Sequence, residues 1–124
     1  VKRFLVFIAG PYSASPTHGT RAASLAGNLL YEAGYDVYEP HLSLIDDIIS
    51  PHDEKYWYER TLRMVDHCHM LIRLPGESWG ADRECEKAGE LDIPVFRGTA
   101  EQFIEADIDP RRFEVERIEW GPDY

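Results

Sequence analysis

The run Arg3-Phe4-Leu5-Val6-Phe7-Ile8-Ala9 leaves the fewest options for the fold. A strand with one wet face alternates apolar and polar side chains. Here the positions from Phe4 to Ala9 are all apolar, so both faces must be covered. The run is therefore expected as a central strand of a parallel sheet. The loop Gly10-Pro11-Tyr12-Ser13-Ala14-Ser15-Pro16-Thr17-His18-Gly19 follows it, rich in small and hydroxyl residues. That loop leads into a helix with the apolar stripe Ala22, Leu25, Ala26, Leu29, Leu30 and Ala33, and Gly34 is its natural stop.

The rest of the chain repeats this alternation. Residues 35–39 read as a short strand ended by Pro40, and residues 41–51 as a loop with a helical turn. A second helix is expected with Ser50 as N-cap and Pro51 at its first position, running to about His67 with Trp57, Thr61, Met64, Val65 and Cys68 facing inward. Strands are expected at 69–74 and 93–96, with a helix capped by Thr99 running to about Ala106. A fifth strand is expected at 112–120, where Phe113 and Val115 alternate with Glu114 and Glu116. The pattern implies one α/β domain over residues 1–124, a doubly wound, mostly parallel five-stranded sheet with helices on both faces. Such sheets bind ligands beyond the carboxyl ends of their strands, where the strand order reverses.

Charge narrows the partner. A net charge of -10 and a pI near 4.8 disfavour a nucleic-acid backbone or an anionic membrane, both of which need clustered Lys and Arg. A small molecule is the expected ligand. The apolar run at the start is too short for a signal peptide or a membrane span, and a cytoplasmic location is expected. Cys68 and Cys85 are expected as reduced, buried thiols on helices. His67-Cys68-His69 has the composition of a metal cluster, but adjacent side chains diverge, so neither a metal site nor a cofactor is expected.

The stretch Leu74-Pro75-Gly76-Glu77-Ser78-Trp79-Gly80-Ala81-Asp82-Arg83-Glu84-Cys85-Glu86-Lys87-Ala88 reads as a strand end, a loop and the first turns of a helix. At about 100° per residue, Ala81, Glu84, Cys85, Ala88 and Leu91 share one stripe, so Glu84 is the charged member of the inward face. One reading is a capping or salt-bridged glutamate. The other is a functional carboxylate whose apolar neighbours raise its pKa. Phosphate chemistries with known fingerprints are absent: there is no G-x-x-x-x-G-K-[ST], and no G-x-G-x-x-G follows the first strand. No G-x-S-x-G elbow is present for a hydrolase triad. What remains is Glu84 below a loop carrying Ser78 and Gly80, opposite a loop carrying Tyr12 and Ser13. A dry carboxylate at a ligand crevice suits attack on a sugar anomeric carbon, as in retaining glycosyl transfer.

Ile8-Ala9-Gly10-Pro11-Tyr12-Ser13, then Ser78-x-Gly80-x-x-x-Glu84 and later Ile93-Pro94-Val95, resemble the nucleoside 2-deoxyribosyltransferase superfamily over roughly the first 100 residues. That group includes deoxyribonucleoside 5′-monophosphate N-glycosidases, and the chain is similar to a small, largely uncharacterised branch of it. The resemblance implies a flavodoxin-like fold, Glu84 as nucleophile, Tyr12 assisting, and a homodimer or higher homo-oligomer in which neighbouring chains complete each site. It implies a nucleoside or nucleotide as the small-molecule partner, held by Gly10, Pro11, Ser13, Thr61, Ser78, Trp79 and Gly80. Ser78 stands where phosphate-accepting members carry serine, and a hydroxyl can donate to phosphate where a carboxylate would repel it. Thr61 stands where the family carries an aspartate, which leaves protonation of the departing base to Tyr12, to His41 or His52, or to a neighbouring chain. Trp57, Tyr58 and Trp79 are candidates for base stacking. A nucleotide-binding domain without turnover and a purely structural subunit are the alternatives.

Overall fold

Strand β1 (Leu5–Ala9) is covered on both faces, and Val6 through Ala9 have no exposed surface. In this computed structural model, which describes residues 3–11 and 15–108, β1 lies between β2 (Asp36–Tyr38) and β3 (Met70–Arg73), and β4 (Val95–Arg97) adds beyond β3. The order is β2-β1-β3-β4, and every pairing is parallel. Val6↔Met70 through Ala9↔Arg73 set the central register. The chain goes to one side of β1 first and to the other side afterwards, so strand order reverses between β1 and β3. This is the doubly wound arrangement expected, with four strands among the described residues. The fifth strand expected at 112–120 lies outside them.

Alternation along the strands divides the core into two layers. Val6, Ile8, Met70, Ile72 and Phe96 face α1 (Pro16–Glu32) and α5 (Ala100–Glu105), meeting Ala23, Leu30 and Phe103. Phe7, Ala9, Leu71 and Val95 face the other way, toward Val65, Ala81, Cys85 and Ala88. That second layer is built from α3 (Glu54–Met64), the 3-10 turn Val65–His67 and α4 (Trp79–Glu90). Both cysteines are buried in it as free thiols, although Cys68 lies just past the 3-10 turn rather than on a helix.

Several boundaries differ from the sequence expectation. Helix α1 buries Ala23, Ala26, Gly27 and Leu30, while Ala22, Leu25, Leu29 and Ala33 are exposed. The buried stripe is thus turned by about one residue, and it includes a glycine that hydropathy passes over. A Cβ at Gly27 would lie 2.5 Å from Glu39 Oε2, so the missing side chain lets this carboxylate close onto the helix. Residues 43–49 form a real helix, α2 (Ser43–Ile49), closed by Ser50. The next helix starts at Glu54, because the Asp53 carboxylate accepts from Tyr56 N at 2.9 Å and caps it, so neither Ser50 nor Pro51 starts a helix. Leu91 closes α4 as its C-cap and is exposed rather than part of the inward stripe. At α5 the expected cap is present in full: Thr99 and Gln102 form a reciprocal capping box.

Because Phe7 is fully buried in the α3/α4 layer, Phe7→Ala should lower unfolding stability by about 3–5 kcal/mol in urea denaturation followed by circular dichroism.

Candidate active site

The carboxyl ends of β1 and β3 carry two loops that pack against each other. Gly76 adopts φ +117°, and a Cβ there would lie 2.6 Å from Pro11 Cγ, so glycine is required twice over. A Cβ at Gly10 would meet Leu74 Cβ at 3.3 Å. His41, nearly fully buried, places Nε2 3.2 Å from the carbonyl oxygens of both Gly10 and Pro11. Burial lowers its pKa, so the ring is neutral at pH 7 and Nε2–H donates to these carbonyls. His41 thereby fixes the β1 loop. His52 belongs to the α2–α3 junction, stacked on Tyr56 at 3.7 Å.

Ser78 caps α4: its Oγ accepts from Ala81 N at 3.1 Å. Its hydroxyl proton remains available for donation to a ligand, beside the free amides of the first turn. Trp79 is the first residue of α4 and is 67% exposed. Its ring centroid lies 5.4 Å from that of Tyr58, with the two rings tilted by 38°, and 5.5 Å from the Arg83 guanidinium carbon. A Cβ on Gly80 would meet nothing within 4 Å, so the backbone there is open to close approach. Trp57 serves the scaffold instead, donating its indole N–H to Asp47 Oδ1 at 2.6 Å.

Glu84 points inward, 7% exposed, as the periodicity of the helix requires. Burial pushes its carboxyl up to about 8, against an opposing pull from the Arg73 guanidinium. Its charge in turn reaches the phenols of Tyr38 and Tyr58, whose pKa values are raised mainly by burial. Thr61 is the buried residue of α3, the helix that packs on α4. Ser78, Trp79, Gly80 and Glu84 therefore share the first turns of α4, with Tyr58 and Thr61 contributed by α3. Gly10 and Pro11 stand on the facing loop, while Tyr12 and Ser13 lie outside the described residues.

Two features escaped the sequence reading. Arg73 is buried and its charge reaches Glu84, and a cation closing the apolar run Met70-Leu71-Ile72 was the available signal, since a strand covered on both faces must give it acceptors. The second is a cleft of about 370 Å³ on the α1/α5 side of the loops, walled by Gly10, Ala22, Leu25, Leu29, His41 and Leu74. It accounts for the apolar side chains that α1 leaves uncovered. Glu84 does not line it. Among the described residues there is no group of three or more His, Cys, Asp or Glu able to hold a metal ion. Within the sequence His67-Cys68-His69, His69 Nδ1 accepts from Leu5 N while Cys68 Sγ donates to Met64 O. No helix among the described residues is long and apolar enough to cross a membrane.

The chain is a parallel α/β sheet with a carboxylate buried on the inner face of α4. Residues 4–97 match the family described as a domain of unknown function, DUF4406, and the chain belongs to that family. Among solved structures, the fold is that of a 2-deoxyribosyltransferase from the psychrotolerant bacterium Bacillus psychrosaccharolyticus, with a TM-score of 0.52 and 17% sequence identity over 75% of this chain and 70% of that one. No curated protein matches.

A carboxyl that is neutral when buried and ionised when unfolded ties stability to pH. With Glu84 near 8 in the folded chain against 4.5 for the ordinary group, the native state holds the extra proton between those values. Its contribution is full below about 4.5 and is lost as pH rises through about 8. Wild-type stability should fall by a few kcal/mol over that window relative to Glu84→Gln, measured by urea denaturation at a series of pH values.

Proposed function

We propose that this domain cleaves or transfers at the N-glycosidic bond of a nucleoside or nucleoside 5′-monophosphate, with Glu84 as nucleophile. The observation that carries the reading is the buried carboxylate on the first turns of α4, whose charge reaches the phenols of Tyr38 and Tyr58. The ionised Glu84 oxygen forms an ester bond to the anomeric carbon as the bond from that carbon to the base nitrogen breaks. The base leaves with the electron pair and takes a proton. Water or a second base then attacks the same carbon, releasing the carboxylate. Tyr12 assists in this reading, Ser78 and the first amides of α4 hold the 5′ end, and Gly10, Pro11, Ser13, Thr61, Trp79 and Gly80 line the substrate site. The shared fold with a 2-deoxyribosyltransferase supports the same chemistry.

Incubation with a mixed nucleoside and 5′-monophosphate pool, followed by chromatography, should yield free base, and added free base should yield exchange product. Glu84→Gln should lower either rate by at least about a hundredfold. Unchanged base release in that variant would overturn the assignment.

One observation favours a second reading, a nucleotide-binding domain with little turnover. Thr61 is buried where an acid would serve the departing base. Thermal stabilisation by a nucleotide with no free base after long incubation would select it.

The reading also includes a homo-oligomer. Helix α2 leaves Ile48 and Ile49 more than 70% exposed, with Leu42 and Ile45 about half exposed beside them, and a monomer rarely leaves such a face bare. Light scattering should give a mass of at least two chains, reduced to one by Ile48→Asp with Ile49→Asp.

A further inference from the structure

The last residue of β3 is an arginine with only 7% of its surface exposed. Met70 and Ile72 face the α1/α5 layer, so the period of the strand turns Leu71 and Arg73 toward α3 and α4. Four of the five guanidinium N–H groups have an acceptor there. Nη1 donates to the Leu74 carbonyl and Nη2 to the Gly76 carbonyl at 2.8 Å, while Nε and Nη2 reach Asp82 Oδ1 at 3.3 and 3.2 Å. One cation thus joins the exit of β3, the left-handed turn at Gly76 and the first turn of α4, which are the segments that carry Ser78 and Glu84 to the sheet edge. Asp82, whose side chain is half exposed, takes the direct ion pair.

We propose that Arg73 is the positioning residue of the Glu84 site, pinning the Gly76 turn to α4 while presenting to Glu84 a positive charge that Asp82 partly neutralises. The inference rests on the Glu84 reading for its functional meaning, but its physical content stands apart from turnover.

The groups around Glu84 make Arg73 the natural source of that charge. The layer under α4 draws Phe7, Ala9 and Val65 from β1 and the 3-10 turn, all apolar. From β2 and α3 come the phenols of Tyr38 and Tyr58, which are uncharged at neutral pH. On α4 itself the neighbour is the Cys85 thiol, raised by burial and facing Arg97 of β4 as well as Arg73. Desolvation opposes the charged form of Glu84, and Arg73 is the group that opposes desolvation. The strength of that pull depends on how much of the guanidinium charge Asp82 consumes.

Two substitutions should therefore move Glu84 in opposite directions. In full-length protein labelled with 13C at the glutamate side-chain carboxyl, with the Glu84 resonance assigned through Glu84→Gln, the titration midpoint should rise by about one pH unit or more in Arg73→Met and fall in Asp82→Asn. Arg73→Lys, which keeps the charge without the three-way fork, should hold the midpoint near wild type while loosening amide protection at residues 74–82 in hydrogen exchange. A midpoint that stays in place in folded Arg73→Met overturns the proposal, and so does one that stays or rises in Asp82→Asn. Should Arg73→Met fail to fold, the partly exposed Asp82 provides the deciding variant. If base release is observed, the acid limb of kcat/KM should track these midpoints. Shifted midpoints with base release unaffected by Glu84→Gln would instead defeat the nucleophile assignment and leave the Arg73 inference standing.

Discussion

The contact between the loops after β1 and β3 is the constraint on which the candidate site depends. Two parallel neighbours end side by side, and their continuations must diverge to opposite faces of the sheet without leaving a gap. Gly10 against Leu74 and Gly76 against Pro11 close that point so tightly that no Cβ fits at Gly76, while His41 secures the first loop and Arg73 the second. These partners satisfy backbone carbonyls that would otherwise be stranded at a buried strand exit. Everything assigned to the ligand edge is positioned relative to this closure.

The site also sets stability against chemistry. A carboxylate useful as a nucleophile must ionise, whereas Glu84 is held where its neutral form is favoured. A buried carboxyl of this kind is more stable with the proton on, whereas the proposed nucleophilic role needs it off, so under that reading the surrounding fold must tolerate the less stable form. The buried guanidinium narrows that gap. It also brings its own desolvation cost, which the carbonyls of Leu74 and Gly76 and the carboxylate of Asp82 offset.

The architecture was legible because its main signal is collective. The apolar run before Gly10 placed β1 centrally, and the 3.6-residue period placed Ala81, Glu84, Cys85 and Ala88 on one buried face of α4. Local chemistry was harder to read. The start of α3 turned on whether Ser50 or Asp53 would cap it, and both are good caps; Asp53 reaches Tyr56 N, whereas Ser50 ends α2. In α1 the buried stripe runs through Gly27, a residue that carries no hydropathy signal, so the face was set one position off and Leu25 and Leu29 were expected in a core they do not enter. Arg73 was passed over because its role is set by carbonyls brought near by tertiary packing, which no spacing in the chain records.

The seat of Glu39 against Gly27 has a consequence for how relatives of this chain can vary. The helix rides close to the exit of β2 because an acidic oxygen occupies the space that even a methyl group would need. A side chain at position 27 therefore competes with the carboxylate at position 39 for the same space. An alanine at the first would require the Glu39 carboxylate to swing aside, a shorter residue at the second, or a helix lifted off the sheet. The bare backbone of one helix thus sets where the acidic end of a side chain on a neighbouring strand exit can rest.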